Sequence, residues 1–332
     1  MKLALDLARR GGSSVAPNPM VGAVIVKDGK VIGQGYHRFF GGPHAEAEAI
    51  RSVKHSADLV GATLYVTLEP CDSFGKQPPC TRAIEKAGIM RVVAGSRDPS
   101  MKESRIKNQE LRIKGKKQEL RMMKGEIAEE CERLNKFFFK WVRTKMPYLT
   151  AKVAVSADGF MAGEHGKFIR ITTTEQDREV HALRASHQAI MVSATTVIND
   201  DSHLGVRPRR GPLGGHVPGE DPLRIIIDSH LRSPLSAKVF RNTHTLLVCL
   251  GTNPIKQIKR YADLGISVWC APGRSHVSLK ALFRYLGKRG VSSILAEPGP
   301  TFYSILKKAG LIDETIAFHG KGKIGKGLRF PE

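Results

Sequence analysis

Hydrophobic positions along the chain change period repeatedly. In "KLALDLARR" (2–10) apolar residues recur three and four apart, the helical spacing, whereas "VGAVIVKDGKVIGQGYH" (21–37) holds two apolar runs around the polar turn "KDGK" and predicts two strands. "AEAEAIRSV" (45–53) favours helix, and "TLYVTLEP" (63–70) reads as a buried strand. "PPCTRAIEKAG" (78–88) predicts a helix opened by prolines and closed by Gly88, and "RVVAG" (91–95) another strand. "EIAEECERLNKFFFKWV" (126–142) carries one helical apolar stripe, and "MPYLTAKVAVSADGFMAG" (146–163) starts a new strand behind Pro147. Beyond it, "QAIMVSA", "LRIIID", "HTLLVCL", "ISVWC" and "SSILAEPG" read as strands, with helices near 175–187, 277–287 and 300–309. The Gly- and Pro-rich "RPRRGPLGGHVPGEDP" (207–222) reads as a loop, and no internal repeat is evident.

Such alternation predicts an α/β layered architecture. At 332 residues the chain is long enough for two domains, and the boundary falls near residue 146, giving domains at 1–146 and 147–332. With 41% hydrophobic and 25% charged residues, and no apolar run of bilayer length, a soluble protein with no membrane partner is expected. The start "MKLALDLARRGG" has neither a long apolar core nor a small-residue cleavage site, so a cytoplasmic location is expected.

The net charge of +22 admits nucleic acid, an anionic membrane surface or a phosphorylated small substrate. Part of the excess sits in "KESRIKNQELRIKGKKQELRMMK" (102–124), with nine Lys/Arg against three Glu, which reads as a solvated helical face or loop. No aromatic residues interleave with these cations, so a stacking platform for single strands is absent there and nucleic acid is disfavoured as a partner.

Five cysteines spread over so long a chain do not make a disulfide framework, and Cys131, Cys249 and Cys270 sit in apolar contexts as packing residues. The other two differ. "GGPHAEAEAI" (41–50) and "EPCDSFGKQPPC" (69–80) together supply His44, Cys71 and Cys80, the three protein ligands of a hydrolytic zinc site with one position open for water. Each precedes or opens a predicted helix, whose positive end favours thiolates. Glu46, two residues past His44, lies on the same first turn and is free to carry protons, the division of labour of zinc deaminases. Eight residues separate the cysteines where two are usual, inserting the loop "DSFGKQPP" beside the metal.

At these residues the chain resembles the bifunctional riboflavin-biosynthesis deaminase/reductase family. The likeness is carried by "APNPMVGAVIVKDGKVIGQGYHRFFGGPHAEAEAI", "GATLYVTLEPCDSFGKQPPCTRAI", "RVVAGSRDP", "TAKVAVSADGFMA", "VHALRASHQAIMVSATTVINDD" and "EPGPTF". It spans nearly the whole chain and is most specific over 15–99. The resemblance implies a cytidine-deaminase-like three-layer α/β/α domain, followed by a dihydrofolate-reductase-like α/β domain using NADPH. The first would deaminate a phosphorylated diaminopyrimidinone with Zn²⁺, and the second would reduce its ribosyl group to ribityl; a homo-oligomer is expected.

By family match, Asn18 and His37 would line the base pocket and Lys76 would also face substrate. Lys152, Thr172, Arg184, Leu204, Arg207 and Glu297 would bind substrate in the second domain, with Asp200 catalytic and Ser193, Thr196 and Gly299 beside the cofactor. Arg184 and Arg207 suit a phosphate, because a guanidinium fork matches two oxygens. The chain departs from the family at Asp72-Ser73, where Ser-His is usual, at Ser193 and Pro298 in place of glycines, at Arg170 in place of Trp, and at a C-terminus lacking the usual Ala-Pro. A Cβ or proline ring beside a cofactor phosphate raises the steric cost of close approach. The rival readings are a nucleic-acid base deaminase, a deaminase with a degenerate reductase half, and a non-enzymatic paralogue.

Overall fold

Contacts in the computed structural model, which describes residues 1–101, 110–113, 116–206 and 221–331, divide the chain into Met1–Thr144 and Lys145–Glu332. In the first unit, α1 (Lys2–Arg9) is followed by β1 (Gly22–Lys27) and β2 (Lys30–Tyr36). Their turn places Asp28 and Gly29 at φ of 49° and 73°, the positive pair that a tight two-residue hairpin needs. Then come α2 (Ala45–Arg51), β3 (Thr63–Leu68), α3 (Cys80–Lys86), β4 (Arg91–Ser96), β5 (Glu110–Ile113), β6 (Lys116–Met122), α4 (Glu126–Leu134) and α5 (Lys136–Thr144).

Among the described residues the strands form one sheet in the order β2-β1-β3-β4-β6-β5, with β3, β4 and β6 parallel. Alternation along the strands decides which helix goes where. Ala23 and Ile25 pack with Ala45, Ala49 and Ile84 of α2 and α3, whereas Val24 packs with Ala4 and Leu7 of α1. A Cβ on Gly95 would meet Cys131 Sγ of α4 at 2.3 Å, so α4 joins α1 on that second face. Three layers result, α/β/α.

Two expectations fail here. The described part of the basic run is strand, not helix or solvated loop: β6 pairs with β4 and β5, and Leu120 is buried in the core. Backbone pairing and one apolar anchor outweigh the surrounding charge; residues 102–109, 114 and 115 lie outside the described residues. The single helix expected over 126–142 breaks at Asn135, whose side chain accepts the Met20 N–H at 2.8 Å and donates to the Met20 carbonyl at 2.9 Å.

The second unit contains β7 (Tyr148–Val155), β8 (Phe160–Gly163), α6 (Thr174–Ser186), β9 (Ala189–Ser193), α7 (Ala194–Asp200), β10 (Leu223–Ile227) and β11 (Thr245–Leu250). It ends with α8 (Ile255–Ala262), β12 (Ser267–Ala271), α9 (Leu279–Lys288), β13 (Ser293–Ala296), α10 (Pro300–Lys308), β14 (Glu314–His319) and β15 (Gly327–Arg329). The strand expected behind Pro147 is β7; after it Ser156 and Gly159 close a turn that sends β8 to pair with β15.

The main sheet runs β12-β11-β10-β9-β13-β7-β14, and its recorded pairs are all parallel. Leu282, Phe283 and Leu286 of α9 and Phe302 and Leu306 of α10 fill one face, while Val197 of α7 and Tyr261 of α8 fill the other. All six residues of β11 are therefore buried, as continuous apolar runs in covered parallel sheets require. The chain winds outward from β9 to β12 and then returns to β13, on the opposite side of β9. That reversal opens a crevice at the carboxyl ends of β9 and β13, where ligands of such sheets bind. Among the described residues no helix is long and apolar enough to cross a membrane.

Candidate metal centre and cofactor cavity

His44 occupies the N-cap of α2 in extended backbone, and Cys80 opens α3. The loop from Cys71 to Cys80 closes on itself: the Thr81 N–H donates to the Cys71 carbonyl at 3.2 Å and the Cys80 N–H to Cys71 Sγ at 3.4 Å. Eight intervening residues thus leave both sulfurs at one place. His44 Nδ1 lies 3.2 Å from Cys80 Sγ and 3.5 Å from Cys71 Sγ, and the three ligand atoms fall within 4.8 Å of one another. Zn–S and Zn–N bonds of ordinary length at tetrahedral angles set an N···S edge of about 3.6 Å. The residues therefore fit a zinc ion, and the donor set of one imidazole and two thiolates is the set zinc takes.

The two thiols differ in the protein alone. Hydrogen bonding to Cys80 and His44 holds the Cys71 thiol down to about 4, while sharing with Cys71 and burial push Cys80 up. A divalent cation removes this asymmetry by deprotonating both. Glu46 is 4% exposed; burial first, and the Cys71 charge second, push its carboxyl up to about 7. A carboxyl poised near neutrality both accepts and donates protons efficiently.

His37 and Asn18 stand next to this cluster. His37 is buried, its ring meets that of His44 edge-on at 5.6 Å, and burial lowers its pKa. Its Nδ1 lies 2.9 Å from the Pro43 carbonyl, which only accepts, so Nδ1 carries the proton and Nε2 accepts from the Asn18 amide at 3.1 Å. This orients the Asn18 carboxamide. Lys76 is exposed, with Nζ 3.8 Å over the Phe40 ring, and Gln77 donates to the Gly41 carbonyl at 2.9 Å, so the inserted loop lies against residues 40–41.

In the second unit a cavity of about 880 Å³ opens at the crevice. Lys152, Thr172, Asp200, Leu204 and Glu297 line it, together with Ser193, Thr196 and Gly299. Glu297 is the electrostatic centre. Burial opposes its charge, yet Lys152 at 3.3 Å and Arg184 at 2.6 Å hold its carboxyl down to about 2. Burial, and then Glu297 itself, raise Asp200 to about 6. Two carboxyls in one cavity are thereby driven apart in acidity, Glu297 down to about 2 and Asp200 up to about 6.

The structure places Arg184 differently from a phosphate clamp. Its Nε and Nη2 both bind Glu297, its Nη1 donates to the Gly205 carbonyl at 3.1 Å, and it is not among the lining residues. Its fork is already filled by a carboxylate. Arg207 lies outside the described residues. Thr172 donates to Asp177 at 2.8 Å, and Arg170, standing where the family has Trp, pairs with the same carboxylate at 2.7 Å. Gly299 has open space where a Cβ would stand, while the neighbouring Pro298 is buried in the cavity wall. Ser193 caps α7, its Oγ accepting the Thr196 N–H.

Sequence pattern gives no sign of Ser229, His230, Arg232 and His276, which also line the cavity, because only the sheet order brings their loops together. Cys270, expected as a packing residue, is exposed on edge strand β12, whereas Cys131 and Cys249 are buried.

Comparison with known proteins matches residues 1–96 to the cytidine and deoxycytidylate deaminase zinc-binding region and residues 147–330 to the RibD C-terminal domain. The riboflavin biosynthesis protein RibD of Aquifex aeolicus is 37% identical over 329 residues, covering 99% of this chain and 88% of that protein. Its Escherichia coli counterpart is 36% identical over 335 residues, covering 99% and 89%. The crystal structure of the Thermotoga maritima diaminohydroxyphosphoribosylaminopyrimidine deaminase/5-amino-6-(5-phosphoribosylamino)uracil reductase superposes with a TM-score of 0.83 at 33% identity, covering 99% of this chain and 88% of that one.

Proposed function

The chain belongs to the RibD family, bifunctional zinc-dependent deaminases and NADPH-dependent reductases of riboflavin biosynthesis, and from that premise we propose the substrate and the residues that act on it. The first unit hydrolyses the 2-amino group of 2,5-diamino-6-(5-phosphoribosylamino)pyrimidin-4(3H)-one, and the second reduces the ribosyl group of the product to ribityl. The convergence of His44, Cys71 and Cys80 within 4.8 Å, beside a buried Glu46, carries this reading.

His44, Cys71 and Cys80 hold the zinc ion. When bound, zinc supplies a water acidified toward neutrality. Glu46 takes a proton from that water and returns it to the leaving amine, so that oxygen replaces nitrogen on the ring and ammonia departs. The Asn18 carboxamide, fixed by neutral His37, orients the pyrimidine edge, and Lys76 attracts the phosphate.

In the second unit NADPH, when bound, supplies the hydride to C1′ of the opened sugar. Asp200, raised to about 6, keeps a minor protonated fraction at neutral pH, and that form gives its proton to the adjacent nitrogen, balancing the reduction. Ionised Glu297 helps burial to raise the Asp200 carboxyl and fixes the Lys152 ammonium, which donates to the sugar hydroxyls. Arg184 acts by holding Glu297. Leu204, Thr172 and Arg207 complete the substrate side; Ser193, Thr196 and Gly299 lie against the cofactor. Free thiols at the metal centre suit a reducing cytoplasm.

Mass-detected conversion of the diaminopyrimidinone tests the proposal. Amine-for-oxygen exchange is expected without NADPH and a further gain of two hydrogens with it; an unchanged substrate in both tubes refutes the assignment.

A further inference from the structure

Leu204 stands in the cavity wall with a backbone that leucine seldom adopts. Its φ is 53°, in the left-handed region, and its side chain is buried in the core cluster with Val197 and Ile226 while also lining the cavity. A bulky residue keeps such a conformation only where its surroundings over-determine it. An ion pair behind the wall supplies that constraint. Arg224 on β10 is buried, and its guanidinium grips two partners: Nε donates to the His203 carbonyl at 2.8 Å and Nη2 to Asp221 Oδ2 at 2.6 Å. The other carboxylate oxygen of Asp221 accepts the Val206 N–H at 3.1 Å. Backbone atoms on both sides of Leu204 and Gly205 are thus held by one guanidinium–carboxylate unit.

That unit is itself fixed to the sheet. The Arg224 N–H donates to the His244 carbonyl at 3.1 Å, and His244 Nδ1 donates to the Asp221 carbonyl at 2.9 Å. Gly205 fits the space that remains, since a Cβ there would stand 3.3 Å from Arg224 Nη2 and 3.5 Å from Asp221 Oδ2. The gripped segment reaches the cavity by two routes. Leu204 lines it directly, and the Gly205 carbonyl accepts Arg184 Nη1 at 3.1 Å, a third contact of the fork that holds Glu297. Arg224 and Asp221 are not among the lining residues.

Resting on the reductase reading above, we propose that Arg224 and Asp221 are positioning residues for the reduction. By clamping residues 203–206 they hold Leu204 against the deaminated pyrimidine and set the affinity for it, without touching substrate or cofactor. The clamp depends on the fork and not on charge alone. A lysine at 224 would keep the positive charge beside Asp221, but its single ammonium cannot span the carboxylate and the His203 carbonyl in the planar geometry of a guanidinium.

Steady-state reduction of supplied deaminated pyrimidine by the zinc-loaded full chain tests the proposal, with the NADPH dissociation constant from nicotinamide fluorescence and the second-unit melt recorded on the same samples. Arg224→Met and Arg224→Lys should each raise KM for the pyrimidine by about tenfold, the value of one hydrogen bond to a charged group. Both should leave kcat per folded protein and the NADPH dissociation constant within about twofold, the pattern of a lost contact made equally in ground and transition states. Arg224→Lys retains the buried charge pair and should melt close to wild type, so it carries the test if Arg224→Met does not fold. Arg260→Ala, an exposed charge on α8 outside the cavity, should leave KM unchanged. A KM that folded Arg224→Lys preserves overturns the proposal while the reductase reading stands. Activity that falls only with the folded fraction, at constant KM, makes the ion pair merely structural and equally overturns it, as does NADPH affinity that weakens by the same factor as KM rises. Wild-type protein that binds NADPH yet leaves the pyrimidine unreduced overturns the reductase reading and the proposal together.

Discussion

Replacing Glu297 with Gln removes one negative charge from between two cations that are themselves only 14% exposed. The amide is close in volume, so the perturbation is electrostatic. Two routes give its size. Holding the carboxyl at about 2 instead of the ordinary 4.5 is worth about 3 kcal/mol of stability at neutral pH. Breaking a buried ion pair by removing one partner costs about 3–5 kcal/mol, because the survivors are left uncompensated. At about 2–4 °C per kcal/mol for a unit of this size, the second-unit transition should fall by about 6–20 °C in calorimetry at pH 7. The sign with pH follows from the depressed value. The contribution is fully present above pH 4.5 and is lost as pH falls toward 2, so the variant and wild type should converge in acid. Asp200 should also titrate lower in the variant, since Glu297 helps to raise it. A shift below about 2 °C at pH 7, or one that persists undiminished at pH 2–3, refutes the picture of Glu297 as a buried anion clamped by two cations.

Three further outcomes follow. Asp200→Asn should abolish reduction yet stabilise the unit above pH 6: wild-type stability falls as pH rises from 3.8 through about 6, and after discounting for solvent the gain is about 1 kcal/mol, vanishing below pH 4 in denaturant titrations. Removing zinc with a chelator should stop deamination while NADPH oxidation with supplied deaminated substrate continues; loss of both activities would contradict separate sites. Asn135→Ala strips two hydrogen bonds from the Met20 backbone and should cost about 2–3 kcal/mol in the first unit by thermal melt, with a raised KM for the diaminopyrimidinone; an unchanged melt would show that Asn135 merely ends a helix.

Much of the metal centre is legible in the sequence because few residue types bind zinc, and His44, Cys71 and Cys80 each stand at a turn or helix start that the flanking prolines announce. The hairpin at Asp28-Gly29 is legible for the same local reason. What decides the rest is not local. Leu120 turns a run of cations into a core strand only because β4 has a free edge. "ATTVIND" is rich in β-branched residues and forms α7 because Ser193 caps it and Val197 packs under β9 and β10. Arg184 looks like a phosphate ligand until Glu297, 113 residues away, is found filling its fork. His230 and His276 are unremarkable apart, and meet across β11 because the Ser229 hydroxyl ties the loop after β10 to the Val277 N–H.

The central claim is that one imidazole and two thiolates hold zinc while Glu46 moves protons for deamination. Zinc content and deamination rate, determined on the same preparations of wild type and Glu46→Ala, test it most directly. The account predicts about one zinc per chain in both proteins and a loss of about 10²–10⁴-fold in rate for the variant. Full deamination by Glu46→Ala, or by protein stripped of zinc, would contradict it.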